Sequence, residues 1–141
     1  MSSDRNAFTL LELVIALAIA AVIAAFALPS YRGQIAHGYR ADAVAALYRA
    51  AQFVDSRFPD AAALPAGLDR APESGTAVYR LRVLSGNDAS GGYVIEARPM
   101  EDGPMRDDSC GVFTLDATGE RGNQSAAGTG TPPWAECWGI R

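Results

Sequence analysis

The feature that constrains this chain most is an apolar run of 21 residues, from Phe8 to Leu28, whose single charge is Glu12. At about 1.5 Å of rise per residue, a helix of this length spans the ~30 Å hydrocarbon core of a bilayer. The run is apolar on every side of such a helix, so it requires lipid or a protein interior around it. The sequence therefore predicts a membrane-inserted helix near the N-terminus.

Glu12 is the exception within this run. A carboxylate inside a membrane helix is costly and usually has a partner or a function. Glu12 follows Phe8 by four residues, about one helical turn. If the chain is cut before Phe8, the new α-amino group can neutralise the Glu12 of a neighbouring subunit, which fixes the register between two helices. The alternative is that Glu12 lies near the helix end and reaches the membrane interface.

The motif Ala7-Phe8-Thr9-Leu10-Leu11-Glu12, followed by the apolar run and then Pro29, resembles the class III signal of type IV prepilins. The resemblance implies that residues 1–7 are a leader and that a prepilin peptidase cuts between Ala7 and Phe8. It also implies that Phe8 becomes the N-methylated terminus. Glu12 and Pro29 would be the assembly residues, within a transmembrane half of the helix over residues 8–28.

Two features of the leader depart from that family. Ala7 stands where the family has glycine, and Arg5 is the one basic residue of the leader. The charge asymmetry that orients a membrane helix is therefore weak. Ala25-Phe26-Ala27 also offers an alternative, because an A-x-A pattern after an apolar run is typical of an ordinary secretory signal. The length of the run and Glu12 favour the prepilin interpretation.

After Pro29 the helical pattern continues at lower hydrophobicity, over residues 29–58. Its apolar side chains recur at three- or four-residue spacing, which predicts a single stripe facing a core. The stripe consists of Ile35, Tyr39, Ala43, Leu47, Ala50 and Val54. We expect Pro29 to bend the helix and Pro59 to end it. Residues 59–75 are rich in proline, alanine and glycine and are predicted to form a loop.

Three segments then alternate between apolar and polar residues, as strands do. They are Thr76–Leu84, Gly92–Arg98 and Val112–Asp116. A meander of three or four antiparallel strands, over residues 76–117, would cover the helix stripe. The predicted fold is α+β: a long curved N-terminal helix packed on a small antiparallel β-sheet, in one globular head over residues 29–141.

The two cysteines, Cys110 and Cys137, form no CxxC pair and belong to no Cys/His cluster, which argues against zinc. Beyond a membrane they are predicted to form a disulfide that closes a loop over residues 110–137. The stretch from Cys110 to Asp116 and the closing Cys137-Trp138 resemble minor pilins of the PilE type. Arg40-Ala41-Asp42-Ala43 shares this resemblance, which implies a pilin fold.

No group of residues has the spacing of a catalytic site, so we expect no enzymatic activity and no cofactor. Asp107, Asp108 and Asp116 lack the spacing of a calcium loop, and no metal site is predicted. The resemblance implies a structural subunit, in a minor role, of a type IV pilus that supports adhesion, twitching motility or DNA uptake. Its partners would be other pilin subunits, the prepilin peptidase and the inner-membrane assembly machinery. The head would face the periplasm before it reaches the extracellular pilus.

Two alternatives stay open at this stage. The first is a competence pilin that binds DNA through Arg80 and Arg82 on one strand face, joined by Arg98, Arg106 and Arg121. The formal net charge of −4 argues against broad attraction for nucleic acid, and arginines on a solvated face also keep a sheet soluble. The second is a pseudopilin of a type II secretion system, which shares the N-terminal pattern. The C-terminal cysteine loop argues against it.

Overall fold

The longest element is one α-helix, α1, from Leu10 to Arg57. The structure is a computed structural model that describes residues 7–60, 63–125 and 134–139. The chain divides into two compact units, residues 1–35 and residues 36–141, and α1 contributes to both. In the first unit the large apolar side chains of α1 are exposed. By length and composition this helix can cross a membrane.

The second unit contains an antiparallel five-stranded sheet. Its strands are β1 (Arg70–Ala71), β2 (Tyr79–Ser85), β3 (Tyr93–Pro99), β4 (Val112–Asp116) and β5 (Arg121–Gln124). They lie in sequence order across the sheet, each paired with the next. The predicted α+β fold and antiparallel meander are confirmed. The strand number was underestimated, because the sequence interpretation missed β1 within the loop at 59–75 and β5 after the third strand.

The core lies between one face of the sheet and the second part of α1. Of the predicted helix stripe, Ala43, Leu47, Ala50 and Val54 are buried there. The strands alternate as predicted, so the inner face carries the apolar side chains. These include Tyr79, Leu81, Ile95, Phe113 and Leu115. The rings of Tyr79 and Phe113 meet edge to face, with centroids 5.9 Å apart.

The C-terminal segment is tied to the sheet by a covalent bond and by hydrogen bonds. The predicted disulfide is present between Cys110 and Cys137, whose Cα atoms lie 5.7 Å apart. Cys137 ends a short helix, α2 (Trp134–Cys137). The Trp138 indole Nε1 donates to Asn123 Oδ1 at 2.7 Å, and Asn123 Nδ2 donates to the Cys110 carbonyl at 3.1 Å. These contacts hold Trp138 against the core.

An ion pair between Arg40 and Asp108 connects α1 to the segment before Cys110. Arg40 Nε donates to Asp108 Oδ2 at 3.0 Å, and Arg40 Nη2 donates to Asp108 Oδ1. Asp108 Oδ2 also accepts from the Cys110 backbone N–H at 3.3 Å. The hydrogen bond with Asp108 raises the pKa of Arg40 in spite of partial burial. Asp108 is therefore the partner of Arg40 and not a calcium ligand of the kind considered from the sequence.

Candidate functional site

The outer face of the sheet carries a group of arginines that the strand register brings together. Arg80 on β2 is directly opposite Arg98 on β3 and directly opposite Arg70 on β1. Arg82 follows Arg80 by two residues and points to the same face. We call Arg70, Arg80, Arg82 and Arg98 the arginine face. Three of the five predicted contact residues, Arg80, Arg82 and Arg98, lie together in it.

Arg80 has the least favourable position in the arginine face. Directly opposed residues of an antiparallel pair have Cβ atoms about 4.5–5.5 Å apart, and like charges there are destabilising. Arg70 and Arg98 flank Arg80 on both sides. Its side chain makes no hydrogen bond or ion pair with the part of the chain that the structure describes, and the residue is exposed. Its guanidinium is therefore available to an external anion.

Glu96 is a buried carboxylate beneath two of these arginines. Its Oε1 atom accepts from Arg82 Nε at 3.0 Å, from Arg82 Nη2, and from Arg98 Nε at 3.4 Å. Only 8% of the Glu96 side chain is exposed, against 56% for Arg82 and 54% for Arg98. Burial alone would raise the pKa of Glu96, but the hydrogen bonds and charges of the two arginines outweigh it and lower the pKa. Glu96 is therefore ionised at neutral pH.

The arginine face borders an open depression of about 730 Å³. Its lining residues are Arg80, Arg82, Arg98, Pro99, Met100, Glu101 and Asp102. Glu101 and Asp102 are exposed and place negative charge on one rim. The arginines that line the depression all lie on β2 and β3. Because a guanidinium offers several donors in a planar fork, such a surface suits phosphate or carboxylate oxygens.

The other predicted basic residues lie elsewhere. Arg106 is exposed and its Nε donates to Asp107 Oδ2 at 3.2 Å. It shares a second depression, of about 290 Å³, with Arg98, so it borders the arginine face without belonging to it. Arg121 pairs with the inward-facing Leu115 and lies over the Trp138 ring, 5.9 Å from the ring centre. The expectation that Arg121 joins the outer group was wrong, because β5 turns it toward the core side.

Arg70 also belongs to the arginine face, but this was not predicted from the sequence. The two-residue strand β1 places it there, in a segment whose composition indicates a loop. No periodicity can be read from two residues, so the sequence held no signal for this placement. Arg70 also has a weak contact with its neighbour, since its Nε lies 3.7 Å from Asp69 Oδ1.

The N-terminal unit contains a second feature that the sequence interpretation missed. Glu12 Oε2 accepts from the Thr9 backbone N–H at 2.9 Å and from Thr9 Oγ1 at 3.1 Å, while Thr9 Oγ1 accepts from the Glu12 N–H at 3.2 Å. This is a capping box, in which two side chains satisfy the free N–H groups at a helix start. The Thr-x-x-Glu spacing carried that signal. Glu12 is thus a partner of Thr9 in its own chain.

Metal binding finds no support in the described ranges. No group of three or more His, Cys, Asp or Glu side chains there is arranged to hold an ion. Asp116 instead organises its own turn, accepting from the backbone N–H groups of Thr118 and Glu120, each at 2.9 Å. Burial acts to raise its pKa, but these bonds and that of the Thr118 hydroxyl lower it.

Comparisons with known proteins relate the chain to type IV pilins. Residues 29–114 match the family profile described as "Type IV minor pilin ComP, DNA uptake sequence receptor". Residues 2–28 match the prokaryotic N-terminal methylation motif. A solved type IV pilin from Shewanella oneidensis is similar, at 24% identity and a TM-score of 0.42, over 61% of this chain and 89% of that one. A search of curated proteins gives no match.

Proposed function

The chain belongs to the ComP family of type IV minor pilins, and on that premise we propose that its arginine face binds duplex DNA. The family profile is described as a receptor for a DNA uptake sequence. The observation that carries the proposal here is the position of Arg80, between two opposed arginines and without an acidic partner in the described residues. The repulsion among these opposed arginines opposes folding, and a bound polyanion is the ligand that reduces this repulsion.

Duplex DNA fits this face better than single-stranded DNA. Proteins that bind single strands stack the bases on aromatic side chains. The rings of Tyr79 and Tyr93 point into the core from β2 and β3, the strands that carry Arg80, Arg82 and Arg98. The outer face can thus contact phosphates but provides no stacking platform within the described strands. Phosphate contacts position a duplex, while base contacts specify its sequence.

The test uses the full-length chain in a non-ionic detergent and a short fluorescent duplex. Each phosphate contact adds about 0.9 to the slope of log K against log salt concentration. We expect Arg80→Gln to weaken binding and to reduce that slope by about 0.9. Arg49→Gln is the matched control, because Arg49 is exposed on α1, away from the strands. Equal slopes for both variants, or no salt-sensitive binding by the parent chain, would contradict the proposal.

The N-terminal unit supports a proposal about maturation. The methylation motif covers residues 2–28, and α1 is apolar enough to anchor the chain in a membrane. We propose that a prepilin peptidase cuts between Ala7 and Phe8, as the sequence predicts, and that Phe8 is then methylated. The chain would remain anchored in the inner membrane, with its head in the periplasm, until the assembly machinery adds it to the extracellular pilus.

Glu12 would then act in assembly together with Pro29. The capping box uses Oε2 of Glu12, and Oε1 takes part in none of those bonds. A carboxylate can accept on both oxygens. Oε1 is thus the atom proposed to receive the terminal amine of a neighbouring Phe8, while Thr9 holds the side chain in place. The family match supports a pilus subunit over a pseudopilin.

A further inference from the structure

The position of Glu96 on the arginine face is unusual for a polyanion-binding surface. It is the one buried charged residue among those that the structure describes, and it lies under the arginines rather than at their rim. Its partners come from two strands, since Arg82 is its cross-strand neighbour on β2 and Arg98 follows it on β3. Glu96 therefore faces two guanidinium groups at once.

The hydrogen bonds to Glu96 leave several N–H groups of Arg82 and Arg98 unused on the solvent side. Arg82 uses Nε and Nη2 for Glu96, and Arg98 uses Nε alone. The remaining N–H groups belong to side chains that are more than half exposed. A phosphate can thus approach both guanidinium groups without displacing Glu96. The carboxylate stays beneath them and reduces their combined charge in the bound state too.

We infer that Glu96 is a specificity-determining residue of the arginine face: an internal counter-ion that offsets one arginine charge and thereby limits binding to DNA of arbitrary sequence. This inference rests on the proposed DNA binding. Non-specific affinity comes almost entirely from neutralised phosphates. A receptor that must discriminate among sequences gains from fewer such contacts. Its specificity is the ratio of its affinity for the recognised sequence to its affinity for other DNA.

Arg80 provides the internal contrast to the two paired arginines. It shares their face but has no acidic partner in the described residues. The face thus combines one uncompensated arginine, two that share a carboxylate, and Arg70, which has a weak contact with Asp69. If Glu96 acts as a counter-ion, its neutralisation converts the shared pair into two fully effective charges. If Glu96 only joins β2 to β3, its neutralisation changes stability and leaves the number of phosphate contacts as it was.

The experiment compares variants of the full-length chain in non-ionic detergent on a random-sequence duplex over a range of salt. We expect Glu96→Gln to bind more tightly at low salt and to steepen the log–log salt slope by about 0.9. Its affinity should therefore fall about 3.5-fold more than that of the parent between about 50 and 200 mM salt. Asp42→Asn is the matched control, because it removes one exposed carboxylate from α1. It should leave the slope unchanged.

A second variant separates the loss of the Glu96 charge from other effects of Glu96→Gln. The double variant Arg82→Gln with Glu96→Gln removes one charge of each sign, and it should keep the parental slope. The inference would be overturned if the salt slope of the double variant were about 0.9 lower than that of the parent. It would also be overturned if Glu96→Gln and the parent had equal slopes, because Glu96 would then offset no charge. Absence of binding by the parent chain would instead contradict the proposed function itself.

Discussion

At the scale of single residues, Tyr79 shows how a buried polar group can oppose folding. Its side chain is fully buried, and its hydroxyl has no hydrogen-bond partner among the described residues. Burial raises the pKa of Tyr79, and the neighbouring Asp108 raises it further against the effect of Arg40. The hydroxyl is therefore neutral. An unsatisfied buried group of this kind costs about 1–3 kcal/mol.

We therefore expect Tyr79→Phe to raise the free energy of unfolding by up to about 1 kcal/mol. Tyr93→Phe is the matched control, since the Tyr93 hydroxyl donates to Asp55 Oδ1 and that bond would be lost. Tyr93→Phe should lower the free energy of unfolding. Chemical denaturation of both variants, followed by tryptophan fluorescence, makes the comparison. A loss of stability in Tyr79→Phe equal to that in Tyr93→Phe would show that the Tyr79 hydroxyl has a partner.

The arginine face was partly predictable at this scale. Alternation in β2 and β3 placed Arg80, Arg82 and Arg98 on the solvent side, because side chains of a strand point to opposite faces in turn. The sequence could not show that Arg80 faces two like charges, since that depends on register between strands. It also could not show that Glu96 is buried beneath Arg82 and Arg98.

At the scale of elements, the Cys110–Cys137 disulfide stabilises the C-terminal segment. The two cysteines are 27 residues apart in sequence. Closing a loop of this length contributes about 3–4 kcal/mol in the chain-entropy model. Cys137→Ser should therefore lower the free energy of unfolding by about that amount. Denaturation in the presence and absence of a reductant measures it, and the reduced parent chain serves as the control that should match the variant.

The predicted elements differ from the observed ones in a consistent way. Elements with strong periodicity were found, namely α1, β2, β3 and β4. The two edge strands were missed because β1 has two residues and β5 reads Arg-Gly-Asn-Gln, with no apolar alternation. Such strands form because a neighbouring strand offers hydrogen bonds, which no local pattern records. Burial of Cys110, Cys137 and Trp138 in the core followed from tertiary contacts in the same way.

At the scale of the whole molecule, Glu12 has a capping contact and a proposed contact with a neighbouring subunit. Glu12→Gln separates them, because an amide oxygen still accepts from Thr9 but carries no charge. We expect Glu12→Gln to insert in the membrane and to be excluded from filaments. Immunoblots of sheared pili against membrane fractions measure this. Normal incorporation of Glu12→Gln would leave capping as the sole role of Glu12.

Processing is the control for that comparison. The intact masses of the parent and of Glu12→Gln should both correspond to chains that begin at methylated Phe8. Equal processing would locate the defect of the variant in assembly. A mature chain that begins near Leu28 would contradict the membrane-anchored pilin and support the secretory-signal alternative.

On the proposed function, the arginine face keeps opposed like charges, at a cost in stability, because they bind DNA. The most direct measurement is the stability and the DNA affinity of Arg80→Gln on the same preparation. We expect opposite signs: the free energy of unfolding rises by a few tenths of a kcal/mol up to about 1 kcal/mol, while the affinity for duplex DNA falls. A variant that is no more stable than the parent and binds DNA as tightly would contradict it.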